Sequence, residues 1–337
     1  MTTTHPQTSQ PVFIWLMIVA LFVTAMILVG GATRLTDSGL SITEWRPVTG
    51  AIPPLSSEGW DRELELYRST TEYQVQNRGM SMEEFQFIYW WEWGHRFLGR
   101  VIGLIFAVPF FFFLFRRMIP AGMTLPLTGL FFLGGLQGAI GWWMVASGLV
   151  DRLDVSQYRL ATHLGMAFVI LGLTLWLAMD ARYGRQPAGG GRLMVWTKAF
   201  WALVFLQIVL GAFVAGLDAG RIFTTWPLME GRLIPDGYLA GMSWLQAAFE
   251  SRPAVQLHHR WTGYLLAICA AVLSFALWRK GLKAAAGALA VITAAQIILG
   301  ITTLVHAAPL SLSLIHQGGA IALFAAAGLT AWKIRRV

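Results

Sequence analysis

Eight apolar runs, each long enough to cross a bilayer, restrict the fold of this chain more than any other feature. A transmembrane helix needs about 20 predominantly apolar residues. The runs lie at 12–31, 86–115, 124–147, 158–179, 197–217, 254–277, 284–305 and 312–332. With 56% hydrophobic and 12% charged residues, the chain is also too apolar for a soluble globular protein. The sequence therefore predicts an all-α polytopic membrane protein with eight transmembrane helices.

The charged residues predict how the chain is oriented. Alternate loops and the C-terminal tail share one set of basic residues, with Asp180 as the only acid among them: Arg116, Arg117, Arg182, Arg185, Arg192, Lys198, Arg279, Lys280, Lys283, Lys333, Arg335 and Arg336. Cytoplasmic loops carry an excess of Lys and Arg. Both termini are therefore predicted to be cytoplasmic, in a bacterial-type inner membrane. The net charge of +8 reflects this topology and indicates no nucleic-acid partner.

The second half of the chain resembles the first. Gln137-Gly-Ala-Ile-Gly141 matches Gln296-Ile-Ile-Leu-Gly300, and the segments around the histidines match as well. The pattern predicts two tandem-repeated four-helix bundles: a tail at 1–11, one half at 12–181, a flexible linker at 182–196 and the other half at 197–337. Gly99-x-x-x-Gly103 and Gly134-x-x-x-Gly138 predict close approach of neighbouring helix backbones.

Four histidines near the outer ends of inward-running spans carry the main chemical signal. They are His95, His163, His259 and His316, and helix geometry places them roughly 6–14 Å from the outer ends. A lone histidine of this kind often only bonds a neighbouring helix. Four in matching register favour metal ligation, with two imidazoles facing each other across a porphyrin iron in each half. No carboxylate or cysteine repeats beside them, which disfavours a closed zinc site.

One acidic residue breaks the symmetry between the halves. Glu92 lies three residues before His95, whereas the matching position in the other half is Gln256. A carboxylate inside a span costs about 2.5–3.5 kcal/mol unless it is paired or hydrated. Two interpretations stay open: a salt bridge to Arg96 or Arg100, or proton chemistry confined to one half.

Three arginines and the remaining histidines have less specific predicted roles. Arg34, Arg96 and Arg260 are candidates to bind porphyrin propionates, because guanidinium groups recognise carboxylates in bidentate fashion; snorkelling at helix ends is the alternative. His259 is preferred to His258 as a ligand because its His-Arg pair matches His95-Arg96. His306 is predicted to cap a helix or to contact a propionate, and His5 to be a solvated tail residue.

The chain resembles the heme A synthase family over nearly its whole length. The most specific stretch is Glu84-Phe-Gln-Phe-Ile-Tyr-Trp-Trp-Glu-Trp-Gly-His-Arg-Phe-Leu-Gly-Arg100, which contains a Glu-x-x-His-Arg signature. Further similar segments follow the family order: Gly39-Leu-Ser-Ile-Thr-Glu-Trp45, Tyr158-Arg-Leu-Ala-Thr-His163, Val255-Gln-Leu-His-His-Arg260 and His316-Gln317. The chain resembles the branch that lacks a cysteine pair in the first outer loop.

This resemblance implies an activity and its participants. The implied reaction is oxidation of the C8 methyl group of heme O to the formyl group of heme A, by successive hydroxylations. His95 and His163 would hold the substrate heme, with Glu92 as the catalytic acid or base. His259 and His316 would hold heme b, which relays electrons. A heme O synthase would act upstream; the electron donor and homo-oligomerisation are left open, and lipid surrounds the chain.

Two other functions are alternatives to the oxidation of heme O. A diheme b-type cytochrome would transfer electrons without modifying heme, but it has no need for the difference between Glu92 and Gln256. A heme or metal transporter usually binds its cargo near the bilayer midplane. The predicted depth of the histidines disfavours it.

Overall fold

A computed structural model describes residues 7–149, 152–185 and 191–335. Within these ranges the regular secondary structure is helical, apart from an isolated bridge between Met229 and Arg232. The helices are α1 (Gln10–Leu35), α2 (Ser57–Arg68), α3 (Thr71–Val75), α4 (Met82–Phe115), α5 (Thr124–Val145), α6 (Gln157–Tyr183), α7 (Arg192–Gly216), α8 (Trp244–Glu250), α9 (Arg252–Arg279), α10 (Lys283–Val305) and α11 (Leu310–Ile334).

The eight predicted spans correspond to the eight long apolar helices, so the prediction of an all-α integral membrane protein is confirmed. Most helices extend a few residues beyond the apolar runs, whereas α5 and α7 end at Val145 and Gly216, slightly before the predicted ends. For example, α4 begins at Met82 rather than 86, because Ser81 and Glu84 form a reciprocal capping box. The predicted linker at 182–196 is shorter than expected, since α6 continues to Tyr183 and α7 begins at Arg192. Residues 186–190 of that linker and 1–6 of the tail lie outside the described residues.

The long helices form two groups that meet at α6. In the N-terminal half (α1–α6), α1 packs against α4 and α6, and α5 packs against α6. In the C-terminal half (α7–α11), α7, α9, α10 and α11 pack as a closed ring of neighbours. The halves join where α6 contacts α7 and α11 and where α1 contacts α11. Accordingly α6 is the most buried of the eight spans.

Ion pairs join the two halves at both ends of the bundle. At one end, Asp180 of α6 accepts hydrogen bonds from the Trp332 indole, at 2.8 Å, and from Arg335 of α11. At the other end, Arg34 of α1 pairs with Asp218 at 3.2 Å. The Asp180–Arg335 pair is buried on both sides, so it is costly to break from one side, because the remaining charge is left unpaired.

The loop between α1 and α4, which the sequence predicts to be the first outer loop, folds into a small cap. Ser56 and Thr70 cap the short helices α2 and α3, each by accepting a bond from a backbone N–H of the first turn. An apolar cluster then packs this cap onto the outer turns of α4: Ile42, Leu64, Tyr67, Tyr73, Phe85, Ile88 and Tyr89. The cap therefore covers the outer end of the N-terminal half.

Candidate functional site

Each of the four histidines faces a glycine on the helix that precedes it in the bundle. The pairs are Gly30–His95, Gly141–His163, Gly211–His259 and Gly300–His316. A Cβ on these glycines would lie only 2.9–3.2 Å from an imidazole atom. Real Cβ atoms rarely approach so closely, so glycine at these four positions leaves room for the rings.

Electrostatic interactions link the histidines within each half of the chain. His95 is close enough to His163 to interact with it electrostatically, and His259 stands in the same relation to His316. Each pair belongs to one half of the chain. A porphyrin iron held between the two imidazoles of each half stays a prediction.

Glutamines fix three of the four histidine helices. Gln137, Gln207 and Gln296 each donate a hydrogen bond from Nε2 to the backbone carbonyl of the paired histidine, at 3.1, 2.9 and 2.9 Å. Each glutamine lies four residues before the glycine that faces the ring. In α1 the corresponding residue is Met26, whose Cε lies 3.3 Å from a Cβ built on Gly99. The helix of His95 therefore lacks this hydrogen bond.

The buried imidazoles fit a bound iron porphyrin. Nδ1 of His163 and of His316 is buried without a hydrogen-bond partner among the described residues. An unpaired buried polar atom is costly and calls for an explanation. A ligated imidazole with space beside it would provide one, and imidazole is a common ligand of heme iron. In the described ranges, no three His, Cys, Asp or Glu side chains converge on a common point.

Glu92 is buried and makes four hydrogen bonds. One carboxylate oxygen accepts from Ser41 Oγ at 2.8 Å and from the Ile42 backbone N–H at 2.7 Å. The other accepts from Arg96 Nε at 3.1 Å and Nη2 at 2.6 Å. The structure thus contains the salt bridge to Arg96 that the sequence left as one interpretation. Glu92 lies one turn from His95 and also anchors the start of the outer loop.

Gln256 and Arg260 make a related clamp in the C-terminal half. Arg260 Nη1 and Nη2 each donate at 2.8 Å to the carbonyls of Thr225 and Phe223. Gln256 Nε2 donates to the same Phe223 carbonyl at 3.0 Å. Among the described residues no carboxylate takes part in this clamp. Glu92 therefore forms an ion pair with the arginine of its clamp, whereas Gln256 does not.

Arg96 makes the corresponding contacts in the N-terminal half. Its Nη1 donates to the Glu44 carbonyl at 3.0 Å and its Nη2 to the Ile42 carbonyl at 2.6 Å. Ile42 and Glu44 are two positions apart in the chain, as are Phe223 and Thr225. Arg96 and Arg260 were predicted to bind propionates. The structure shows that both hold loop backbone, and propionate binding stays a prediction.

Arg34 lies in a cluster of three aspartates. It pairs with Asp37 at 2.8 Å, Asp218 at 3.2 Å and Asp154 at 3.5 Å, and its side chain is only 11% exposed. Its Nε is buried without a partner among the described residues. The predicted role of Arg34 at a propionate is therefore untested, and its visible role is to join the halves.

His258 and His306 make polar contacts of their own. His258 Nε2 is hydrogen-bonded to the Tyr238 hydroxyl at 2.9 Å. His306 Nδ1 lies 2.8 Å from the Thr302 carbonyl at the exposed C-terminal end of α10. His5 lies outside the described residues.

The loops that follow α1 and α7 resemble each other, a similarity that the sequence prediction did not include. Asp37 and Asp218 both adopt φ of 49° just after α1 and α7, and a tryptophan follows each at the same distance along the chain. Trp45 packs against Trp142 of α5, with ring centroids 4.9 Å apart. The shared Asp and Trp positions are a signal of this similarity in the sequence, and they lie outside the apolar spans that carry the repeat.

A buried carboxyl group lies inside the outer cap. Glu72 is 2% exposed and its Oε2 accepts from the Tyr67 hydroxyl at 3.2 Å. Burial raises the pKa of Glu72 to about 8, even though the Tyr67 hydrogen bond opposes the rise. The cap therefore contains a group that changes charge near neutral pH.

Comparisons with known proteins agree over nearly the full length of the chain. Residues 13–327 match the family described as cytochrome oxidase assembly protein. A heme A synthase of Maricaulis maris is 60% identical over 97% of both chains. Heme A synthases of Parvibaculum lavamentivorans and Paracoccus denitrificans are 50% and 48% identical, covering 96% and 95% of this chain and 93% and 87% of their own. The chain therefore belongs to the heme A synthase family of cytochrome oxidase assembly proteins, membrane enzymes of heme A biosynthesis.

Proposed function

We propose that the chain oxidises the C8 methyl group of heme O to the formyl group of heme A in its N-terminal half. The observation that carries this proposal is a pair of matched two-histidine sites, of which only one has a buried carboxylate one turn away. His95 and His163 hold the substrate iron, and His259 and His316 hold heme b. When bound, heme b supplies one-electron transfer.

The chemistry explains why only one half needs Glu92. Converting a methyl group into a formyl group is a four-electron oxidation overall, in which the carbon loses two hydrogens and gains one oxygen atom. Protons must leave during this oxidation, and a carboxylate within reach of the reacting carbon accepts them. Glu92 has that role, and Ser41, Ile42 and Arg96 hold its carboxylate in position. Gln256 cannot accept a proton in this way, which suits a site that only transfers electrons.

The proposed orientation follows from the charges of the loops. Both termini lie in the cytoplasm of a bacterial inner membrane, and the histidine pairs lie toward the outer side. The basic residues beside Asp180 and Arg335 support this orientation, because such residues accumulate on the cytoplasmic side. The bacterial sources of the relatives support the choice of membrane. A heme O synthase supplies the substrate.

Heme analysis tests the proposed reaction directly. Cells that express this chain together with a heme O synthase, in a host without heme A, would be extracted and their hemes separated by chromatography. Heme A is expected with the intact chain and absent with the empty vector. A folded, heme-containing protein that yields only heme B and heme O, although its heme b is reduced in the same membranes, would contradict the proposal.

A further inference from the structure

The two halves differ in how two of their helices pack. In the C-terminal half α9 and α10 lie against each other along much of their length, whereas α4 and α5 approach each other over a much shorter stretch. The ring contacts between α4 and α5 all involve Phe131, which packs against Phe106, Phe110 and Phe111 toward the cytoplasmic end. Among the described residues no other ring contact joins α4 to α5 beyond Phe131, and the space between the two helices on that side is called the gap below.

Glycines line this gap on α5. A Cβ built on Gly134 or Gly138 would meet no other atom within 4 Å. Both residues lie on the same side of α5 as Gly141, which faces the His163 ring, because they precede it by seven and three positions. The space beside them is therefore continuous with the side of the helix that faces the histidines. The predicted close approach of a helix backbone at Gly134 and Gly138 is wrong, as it is at Gly103 of α4.

The corresponding positions of α10 carry side chains. Gln137 and Gln296 make the same hydrogen bond to a histidine carbonyl, which fixes the register between α5 and α10. In that register Thr293 replaces Gly134 and Ile297 replaces Gly138. Thr293 is 4% exposed, so the space it occupies is filled. Only the N-terminal half has room for an additional apolar group at this level.

We propose that the gap between α4 and α5 binds the isoprenoid chain of heme O, with Gly134 and Gly138 as the residues that determine this specificity. The inference rests on the proposed function, in which heme O binds the N-terminal half and heme b the C-terminal half. Heme O differs from heme B by this long apolar chain. The gap reaches the lipid-facing surface, where the chain finds an apolar environment, and the contact between Trp45 and Trp142 lies on its outer side.

The test replaces the two glycines by the residues of the other half. Gly134→Thr and Gly138→Ile, alone and together, would fill the gap without a steric clash at Cβ. Gly129→Ile is the matched control, because its Cβ is also unobstructed but lies on another side of α5 near the cytoplasmic end. The purified full-length protein, with heme b in its C-terminal half, would be titrated with heme O and with heme B by difference spectroscopy.

The double variant should weaken heme O binding at least tenfold relative to heme B, about 1.4 kcal/mol, and leave the heme b content unchanged. The Gly129→Ile control should keep the wild-type preference. An unchanged preference for heme O over heme B in the double variant, or an equal loss of affinity for both hemes, would overturn the assignment of the gap to the isoprenoid chain. Neither result would contradict the proposed function. If the wild-type protein bound no heme O, the proposed function would fail and this inference with it.

Discussion

Removing the negative charge of Glu92 should release the start of the first outer loop. In Glu92→Gln, one amide oxygen can still accept from Ser41 and Ile42, but the amide nitrogen cannot accept the two Arg96 bonds. Breaking a buried ion pair from one side costs about 3–5 kcal/mol. Because the Arg96 side chain is 16% exposed, we expect the lower end, about 3 kcal/mol. That corresponds to an increase in local opening on the order of 100-fold.

Hydrogen exchange of peptides covering residues 40–48 measures this opening, with the protein in lipid nanodiscs. Gln256→Ala is the matched control in the other half, since it removes one neutral hydrogen bond to the Phe223 carbonyl. Its loop should open only about fivefold more, for about 1 kcal/mol. If exchange at residues 40–48 in Glu92→Gln stays within fivefold of wild type, Glu92 does not anchor this loop and the reasoning fails.

A second variant separates the catalytic role of Glu92 from its structural role. Ser41→Ala removes one hydrogen bond to the carboxylate and keeps the charge and the Arg96 pair. Formyl production is expected to survive in Ser41→Ala and to be abolished in Glu92→Gln, with heme binding retained in both. Equal loss of formyl production in the two variants would show that loop position, rather than the carboxylate, limits the reaction.

Three further predictions follow from individual contacts. Met26→Gln should add the missing hydrogen bond to the His95 carbonyl and raise the thermal midpoint by about 2 °C, and the control Gln207→Met should lower it by removing the equivalent bond. Unchanged midpoints in both variants would show that this bond does not stabilise the bundle. Because the pKa of Glu72 is raised to about 8 from an ordinary value of 4.5, stability of the cap should fall as pH rises from about 4.5 to 8, and hydrogen exchange should lose this dependence in Glu72→Gln. Asp180→Asn should destabilise the bundle by about 3 kcal/mol by leaving Arg335 unpaired; unaltered thermal unfolding would refute this.

The spans could be predicted because each depends on a local pattern, and the depth of the histidines, which stays a prediction, rests on a local pattern as well. Apolar length alone locates α1 and the seven other spans, since a bilayer imposes one dimension on every crossing. The depth of His95 follows from counting residues along a helix of known rise. Neither conclusion requires knowledge of what lies opposite in the bundle.

The loop contacts of Arg34 and Arg96 could not be predicted, because they depend on irregular segments, whereas the Glu92–Arg96 ion pair within α4 was one of the two interpretations of the sequence. A guanidinium group suits a propionate, a carboxylate and a loop carbonyl equally well. Arg34 pairs with aspartates because left-handed turns bring Asp37 and Asp218 beside it. The Gly134-x-x-x-Gly138 prediction failed for a related reason: small residues permit close packing, but here they leave an open gap.

The central claim is that the two histidine pairs hold different hemes. The most direct measurement is the amount of each type of heme per chain in two purified variants, His259→Ala and His163→Ala. Both variants would be expressed in a host that makes heme O. We predict that His259→Ala loses heme b and keeps heme O, and that His163→Ala does the opposite. Loss of the same heme in both variants, or of neither, would contradict the account.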